Sequence, residues 1–142
     1  MQNRHERLAE LAKLEKGWFG QGAGEVIQQK YINIAGQILS ELELRCSEDR
    51  TKNPLNQPLI YPTIDGLIQF EWLDVAGWSV SAFIANVDTS IWTIDIVAIR
   101  YGSDDSFTDV CHDQIGLVNW LIHLRDTGKT DYGGPGVAGT NG

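Results

Sequence analysis

The stretch Leu67-Ile68-Gln69-Phe70-Glu71-Trp72-Leu73 decides the fold. Ile68, Phe70 and Trp72 point one way, while Gln69 and Glu71 point the other, which is the period of a half-buried β-strand. Two further stretches repeat it. In Trp78-Ser79-Val80-Ser81-Ala82-Phe83-Ile84-Ala85, Trp78, Val80, Ala82 and Ile84 alternate with Ser79 and Ser81. In Ile91-Trp92-Thr93-Ile94-Asp95-Ile96-Val97-Ala98-Ile99, Trp92, Ile94, Ile96 and Ala98 alternate with Thr93 and Asp95. Asp74–Gly77 and Asn86–Ser90 are short turn segments, so the three strands form an antiparallel meander.

The flanks have helical period. Leu8, Leu11, Leu14 and Trp18 mark an amphipathic helix from about Arg4 to Lys16, with Gly17 as a left-handed cap. The run Gly17-Trp18-Phe19-Gly20-Gln21-Gly22-Ala23-Gly24 makes a tight connection. A second helix runs from about Glu25 to Arg45, with Ile27, Tyr31, Ile34, Ala35, Ile38 and Leu42 as its apolar stripe. Ser47–Pro58 reads as a polar loop. A last helix is expected from about Asp109 to Asp126, capped by Ser106 or Thr108, ended by Gly128 and apolar along Ile115, Val118, Leu121 and Ile122. The fold class is therefore α+β: two N-terminal helices, a three-stranded antiparallel meander and one C-terminal helix in a two-layer sandwich. Residues 1–128 form a single domain on this reading, and 129–142 a flexible glycine-rich tail.

Charge is unevenly placed. Residues 1–63 carry eight acids and eight bases, whereas residues 64–142 carry eleven acids and three bases. The whole net charge of −8 lies in the second half, and between Asp65 and Asp113 the only base is Arg100. Such a surface repels nucleic acid and suits a basic protein or a hard cation. The charged N-terminus lacks the apolar core of a secretory signal, and no run approaches the roughly 20 apolar residues of a membrane span. Cys46 and Cys111 stand in no metal or redox spacing and read as reduced thiols. Cytoplasmic residence follows.

Four constellations invite a chemical reading. Asp104, Asp105, Asp109 and Asp113 fall in a loop and on the first turn of the expected last helix, and hard oxygen ligands so grouped suit calcium. The spacing is not that of an EF-hand, and aspartates also favour a helix N-terminus on electrostatic grounds alone. The polar strand face, with Gln69, Glu71, Ser79, Ser81, Phe83, Thr93 and Asp95, sets one aromatic among small and acidic residues, as an interface does. Cys111-His112-Asp113 with His123 does not assemble a nucleophile and base, because adjacent helical residues diverge by about 100°. Gly128-Lys129-Thr130 lacks the upstream glycine of a phosphate loop, and the glycines at 17, 20, 22 and 24 follow a helix rather than a strand. The helix–three strands–helix order after Gly24 is that of a double-stranded-RNA-binding domain. Asp104, Asp105 and Asp109 stand where such a domain needs lysines.

Leu11, Leu14, Gly17-Trp18, Gly20 and Gly22-Ala23, followed by Tyr61-Pro62-Thr63, Asp65-Gly66 and Ile68-Gln69-Phe70-Glu71-Trp72, resemble a group of small bacterial proteins. That group pairs a GW-x-G-x-G-A segment with a later PT-x-DG-x-[IV]-Q-[LF]-EW strand. The resemblance spans about residues 8–75 and implies a shared fold unit but no activity. It marks Gly17, Trp18 and Trp72 as structural, with Trp18 expected to pack on the Trp72 face.

The functional expectation is a non-enzymatic acidic module that binds a cationic protein surface, as inhibitors, antitoxins, immunity proteins and regulators do. Its partner-binding residues are Glu71, Phe83, Asp95, Asp104, Asp105 and Asp113. No cofactor is required. The alternative is a calcium-binding regulator using Asp104, Asp105, Asp109 and Asp113, and a third reading is an enzyme with scattered carboxylates.

Overall fold

The structure is a computed structural model that describes residues 3–49, 52–85, 87 and 91–131. Most of the turn read at 86–90 and of the tail read at 129–142 lies outside the described residues. The elements are α1 (Arg4–Ala12), α2 (Gln29–Arg45), β1 (Leu59–Pro62), β2 (Ile68–Val75), β3 (Trp78–Ala85), β4 (Thr93–Arg100), β5 (Ser106–Cys111) and α3 (Gln114–Thr127). The strands form one antiparallel sheet in the order β1-β2-β3-β4-β5. The meander therefore has five strands, not the expected three.

The three strands read from alternation lie in the expected phase. Ile68, Phe70, Trp72, Trp78, Val80, Ala82, Ile84, Ile94, Ile96 and Ala98 are all buried. Helices α2 and α3 pack on this face through Ile34, Ile38, Leu39 and Leu42, and through Leu117, Val118, Trp120, Leu121 and Leu124. Helix α1 packs on α2 and β1 through Leu8 and Leu11. The result is the expected two layers, with a wider sheet.

Both additional strands come from segments that do not alternate cleanly. β1 is only four residues long and ends in Pro62. β5 occupies residues assigned to the last helix. Asp113, not Ser106 or Thr108, caps α3: it is extended, and its carboxylate accepts the Gly116 N–H at 2.7 Å. The inward face of α3 is rotated accordingly. Ile115 is exposed and Ile122 only partly buried, while Leu117, Trp120 and Leu124 face the core. At the other end of the chain, α1 stops at Ala12 and α2 starts at Gln29, leaving 25–28 outside both helices with Ile27 in the core.

Indole N–H groups fasten the irregular segments. Trp72 donates to Leu55 O at 2.8 Å, Trp78 to Gly128 O at 3.0 Å and Trp120 to Thr130 O at 2.9 Å. Each buries a large ring and uses its one polar atom to hold a loop carbonyl. Trp18 does the same more locally. It does not pack on the Trp72 face. It is half-buried, meets Phe19 edge-on with ring centroids 5.9 Å apart, and donates to Glu25 O at 2.7 Å. Its indole thereby closes the glycine-rich loop, which also bonds Gly17 N to Gly24 O and Phe19 N to Ala23 O.

That loop meets the turn between β1 and β2. Glu25 N donates to Ile64 O at 2.8 Å, and a Cβ on Gly66 would lie 3.0 Å from Val26 O. The residues that follow the GW-x-G-x-G-A segment, Glu25 and Val26, thus touch the turn that precedes β2.

Gly24 shows how tightly the loop is closed. Its φ is +107°, and a Cβ there would lie 2.9 Å from the Trp18 ring and from Phe19 N. Gly24→Ala is expected to lower stability by about 2–4 kcal/mol, combining left-handed strain with steric clash. Gly36 lies within α2, and a Cβ there would have nothing within 4 Å, so Gly36→Ala is expected to raise stability by about 0.5–1 kcal/mol. Urea melts of the two variants check both signs.

Candidate interaction surface

Among the described residues no helix packs on the other face of the sheet, which the loop carrying Lys52, Asn53, Pro54 and Gln57 borders at Leu59, Glu71 and Leu73. Register places its side chains in rows. One row is Tyr61, Gln69, Phe83, Asp95 and Val110; the next is Leu59, Glu71, Ser81, Val97 and Thr108; a third contains Ser79, Ile99 and Ser106. Glu71, Phe83 and Asp95 therefore share one surface. Phe83 sits between Gln69 and Asp95, and Glu71 lies opposite Ser81. Around them Tyr61, Leu73 and Ile99 are 38%, 46% and 52% exposed, an apolar content beyond Phe83 alone.

The strand rows of this face are one-signed, and a base beside them, Lys52, lines a cleft with Glu71 and Leu73. None of the rows holds a lysine, arginine or histidine. Arg100 alternates to the helix side, where its guanidinium lies 5.9 Å from the Trp78 ring centroid.

The remaining acids do not converge on the same place. Asp104 and Asp105 stand in the β4–β5 turn, at the far end of β4 from Asp95. Asp113 is occupied as the cap of α3. Asp109 lies on β5, where its Oδ1 accepts the Val110 N–H at 2.8 Å and its buried Oδ2 accepts no hydrogen bond. Asp109 and Asp113 are thus not one helical turn apart. Four residues of strand separate Asp105 from Asp109 by about 13 Å. Among the described residues, no three His, Cys, Asp or Glu side chains come together as a metal-binding group.

The other constellations take structural roles. The N–H groups of Gly17, Phe19, Gly20, Ala23 and Glu25 all donate to backbone carbonyls, so they are not aimed outward at an anion. Gly128 is the left-handed cap of α3, with φ 72°, and Lys129 N donates to the Thr127 hydroxyl. Cys111 is buried on β5, while His112 is exposed beyond the strand end. Two clefts lie off the sheet face. One, of about 410 Å³, is bordered by Lys52, Leu55, Asp74, Ala76 and Arg125, and its Arg125 is already paired with Asp49 and Asp126. The other, of about 590 Å³, runs between α1 and α2 past His5, Leu8, Ala12, Ile32 and Gly36.

Neither a family model, nor a curated protein, nor a solved structure matches this chain. Among the described residues, no helix is long and apolar enough to cross a membrane. Tyr61, Leu73 and Val110 escaped the sequence reading of the face because their placement depends on β1, the irregularity between Trp72 and Val75, and β5, whereas Ile99 continues the outward alternation of β4 that Thr93 and Asp95 begin. The short polar–apolar alternation Ser106-Phe107-Thr108 is the one sequence signal for β5, and Asp109 interrupts it.

Both thiols are free and buried. Burial, then the nearby Asp109 and Asp113, pushes the Cys111 thiol from 9.0 up to about 12, and burial raises Cys46 as well. The unfolded chain ionises these thiols near their ordinary value, whereas the folded chain resists. The contribution of Cys111 is complete below pH 9.0 and is lost progressively towards about 12. Urea midpoints are expected to fall over that range, and to fall less in Cys111→Ala than in wild type. Equal slopes in the two proteins would contradict the assignment.

Proposed function

We propose that this protein is a non-enzymatic interaction module that docks a cationic protein surface on its open sheet face, in the manner of an inhibitor, antitoxin, immunity protein or regulator. The observation that carries the reading is the make-up of that face. Phe83 lies between Gln69 and Asp95, Glu71 is one row away, and no basic side chain shares the rows. An aromatic anchor within an apolar patch supplies binding energy, and a one-signed rim selects the partner and speeds encounter. Asp104 and Asp105 extend the negative field at the β4–β5 end, and Asp113 at the opposite end of β5. They act on approach rather than in the central contact. Two buried free thiols suit a reducing cytoplasm as the place of action.

Association kinetics with the partner captured from the native host test the proposal. The association rate is expected to fall steeply from low to high salt, because long-range attraction is screened beyond about 10 Å at 0.1 M. Asp95→Lys is expected to slow association by about tenfold with an unchanged melting midpoint. A rate indifferent to both salt and Asp95→Lys would remove the face as the docking site.

A further inference from the structure

The two edges of the sheet are finished differently. At β1, the Thr63 N–H donates to Leu67 O, which sets the hydrogen-bonding parity and turns the backbone of Pro58, Ile60 and Pro62 outward. Both prolines lack an N–H. Arg4 of α1 donates to Pro58 O at 3.1 Å, and Arg7 donates to Ile60 O at 2.9 Å. This edge is closed to another strand.

At β5, Arg100 N donates to Asp105 O at 3.0 Å. With the register Ile99–Ser106 and Ile96–Asp109, this directs the backbone of Phe107, Asp109 and Cys111 at β4. The N–H and C=O groups of Ser106, Thr108 and Val110 face outward. Among the described residues only the Val110 N–H of these has a partner, the Asp109 carboxylate. Ser106 and Thr108 are exposed. Among the described residues β5 is thus a free edge that no helix covers with side-chain donors as α1 covers β1.

We propose that the β5 edge accepts an extended basic segment of the partner by strand addition. The inference rests on the reading of a cationic protein partner and names the segment that would make the closest contact. Charge selects the occupant. Asp109 lies on the edge strand, Asp104 and Asp105 stand just before it, Asp113 follows it as the cap of α3, and no lysine or arginine occurs between Tyr101 and Leu124. The buried Asp109 Oδ2 accepts no hydrogen bond and would take one from a lysine or arginine on the added strand. A second copy is disfavoured, because β5 against β5 would set these aspartates against themselves in two chains of net charge −8. The added segment alternates: basic residues on the Asp109 side, and small or β-branched residues beside Ser106, Thr108 and Val110.

A labelled octapeptide of alternating lysine and threonine is the probe, and an octapeptide of alternating lysine and proline is the control with equal charge but half the N–H donors. Fluorescence anisotropy is expected to show binding of the first and about tenfold weaker binding of the second. Thr108→Pro removes one outward N–H without touching the β4 ladder, and is expected to weaken the lysine–threonine peptide by about tenfold at an unchanged melting midpoint. If that variant does not fold, Asp109→Asn serves instead and is expected to weaken the same peptide. Equal binding of both peptides would overturn strand addition while leaving the anionic face intact as a docking surface. Absence of binding, or undiminished binding by the folded variants, would overturn it too. Self-association of wild type by sedimentation, abolished by Thr108→Pro, would overturn the choice of occupant in favour of a second copy.

Discussion

Alternation through β2, β3 and β4 commits their inward side chains from Ile68 to Trp72, from Trp78 to Ile84 and from Ile94 to Ala98 to a single dry face, and the rest of the molecule is arranged around that commitment. A sheet with one apolar face must bury it, and here α2 and α3 do so with Ile38, Leu39, Leu42, Leu117, Trp120 and Leu121. Because the side-chain period is two, a slip of one residue in any strand would turn its apolar set to water. Register is therefore fixed by the core. The same fixed register determines which residues meet on the other side, where Phe83, Asp95 and Glu71 gather in strand rows that hold no basic residue.

The tryptophans convert that sheet and helix core into a complete chain fold. Three of them, Trp72, Trp78 and Trp120, are buried and extend their N–H to carbonyls of Leu55, Gly128 and Thr130, each in an irregular segment. The loop before β1 and the chain after α3 have few apolar side chains with which to anchor themselves. A rigid ring that reaches out of the core supplies the attachment. Trp18 plays the local version of this role, holding the glycine loop shut where it abuts the Ile64–Gly66 turn.

How far the sequence disclosed this depends on which physical signal each element carries. β2, β3 and β4 were legible because their inward positions are apolar without exception from Ile68 to Trp72, from Trp78 to Ile84 and from Ile94 to Ala98. That regularity also placed Glu71, Phe83 and Asp95 on one face. β5 was not legible in the same way. Asp109 occupies an inward position at the sheet edge and breaks the alternation, while Ser106 and Thr108 have the chemistry of helix caps. Reading a helix there made Asp109 and Asp113 neighbours, whereas extended chain carries them apart. β1 was too short for periodicity to register. The contrast between the two sheet edges lay beyond sequence altogether, since it depends on hydrogen-bond parity across two pairings.

The central claim is that Ser106–Cys111 is an edge strand with one side bonded to β4 and the other free. Residue-resolved amide hydrogen exchange of the isolated protein tests it most directly. Protection is expected to alternate, strong at Phe107, Asp109 and Cys111 and weak at Ser106 and Thr108. Continuous protection running from Asp109 into the helix, without that alternation, would contradict the account.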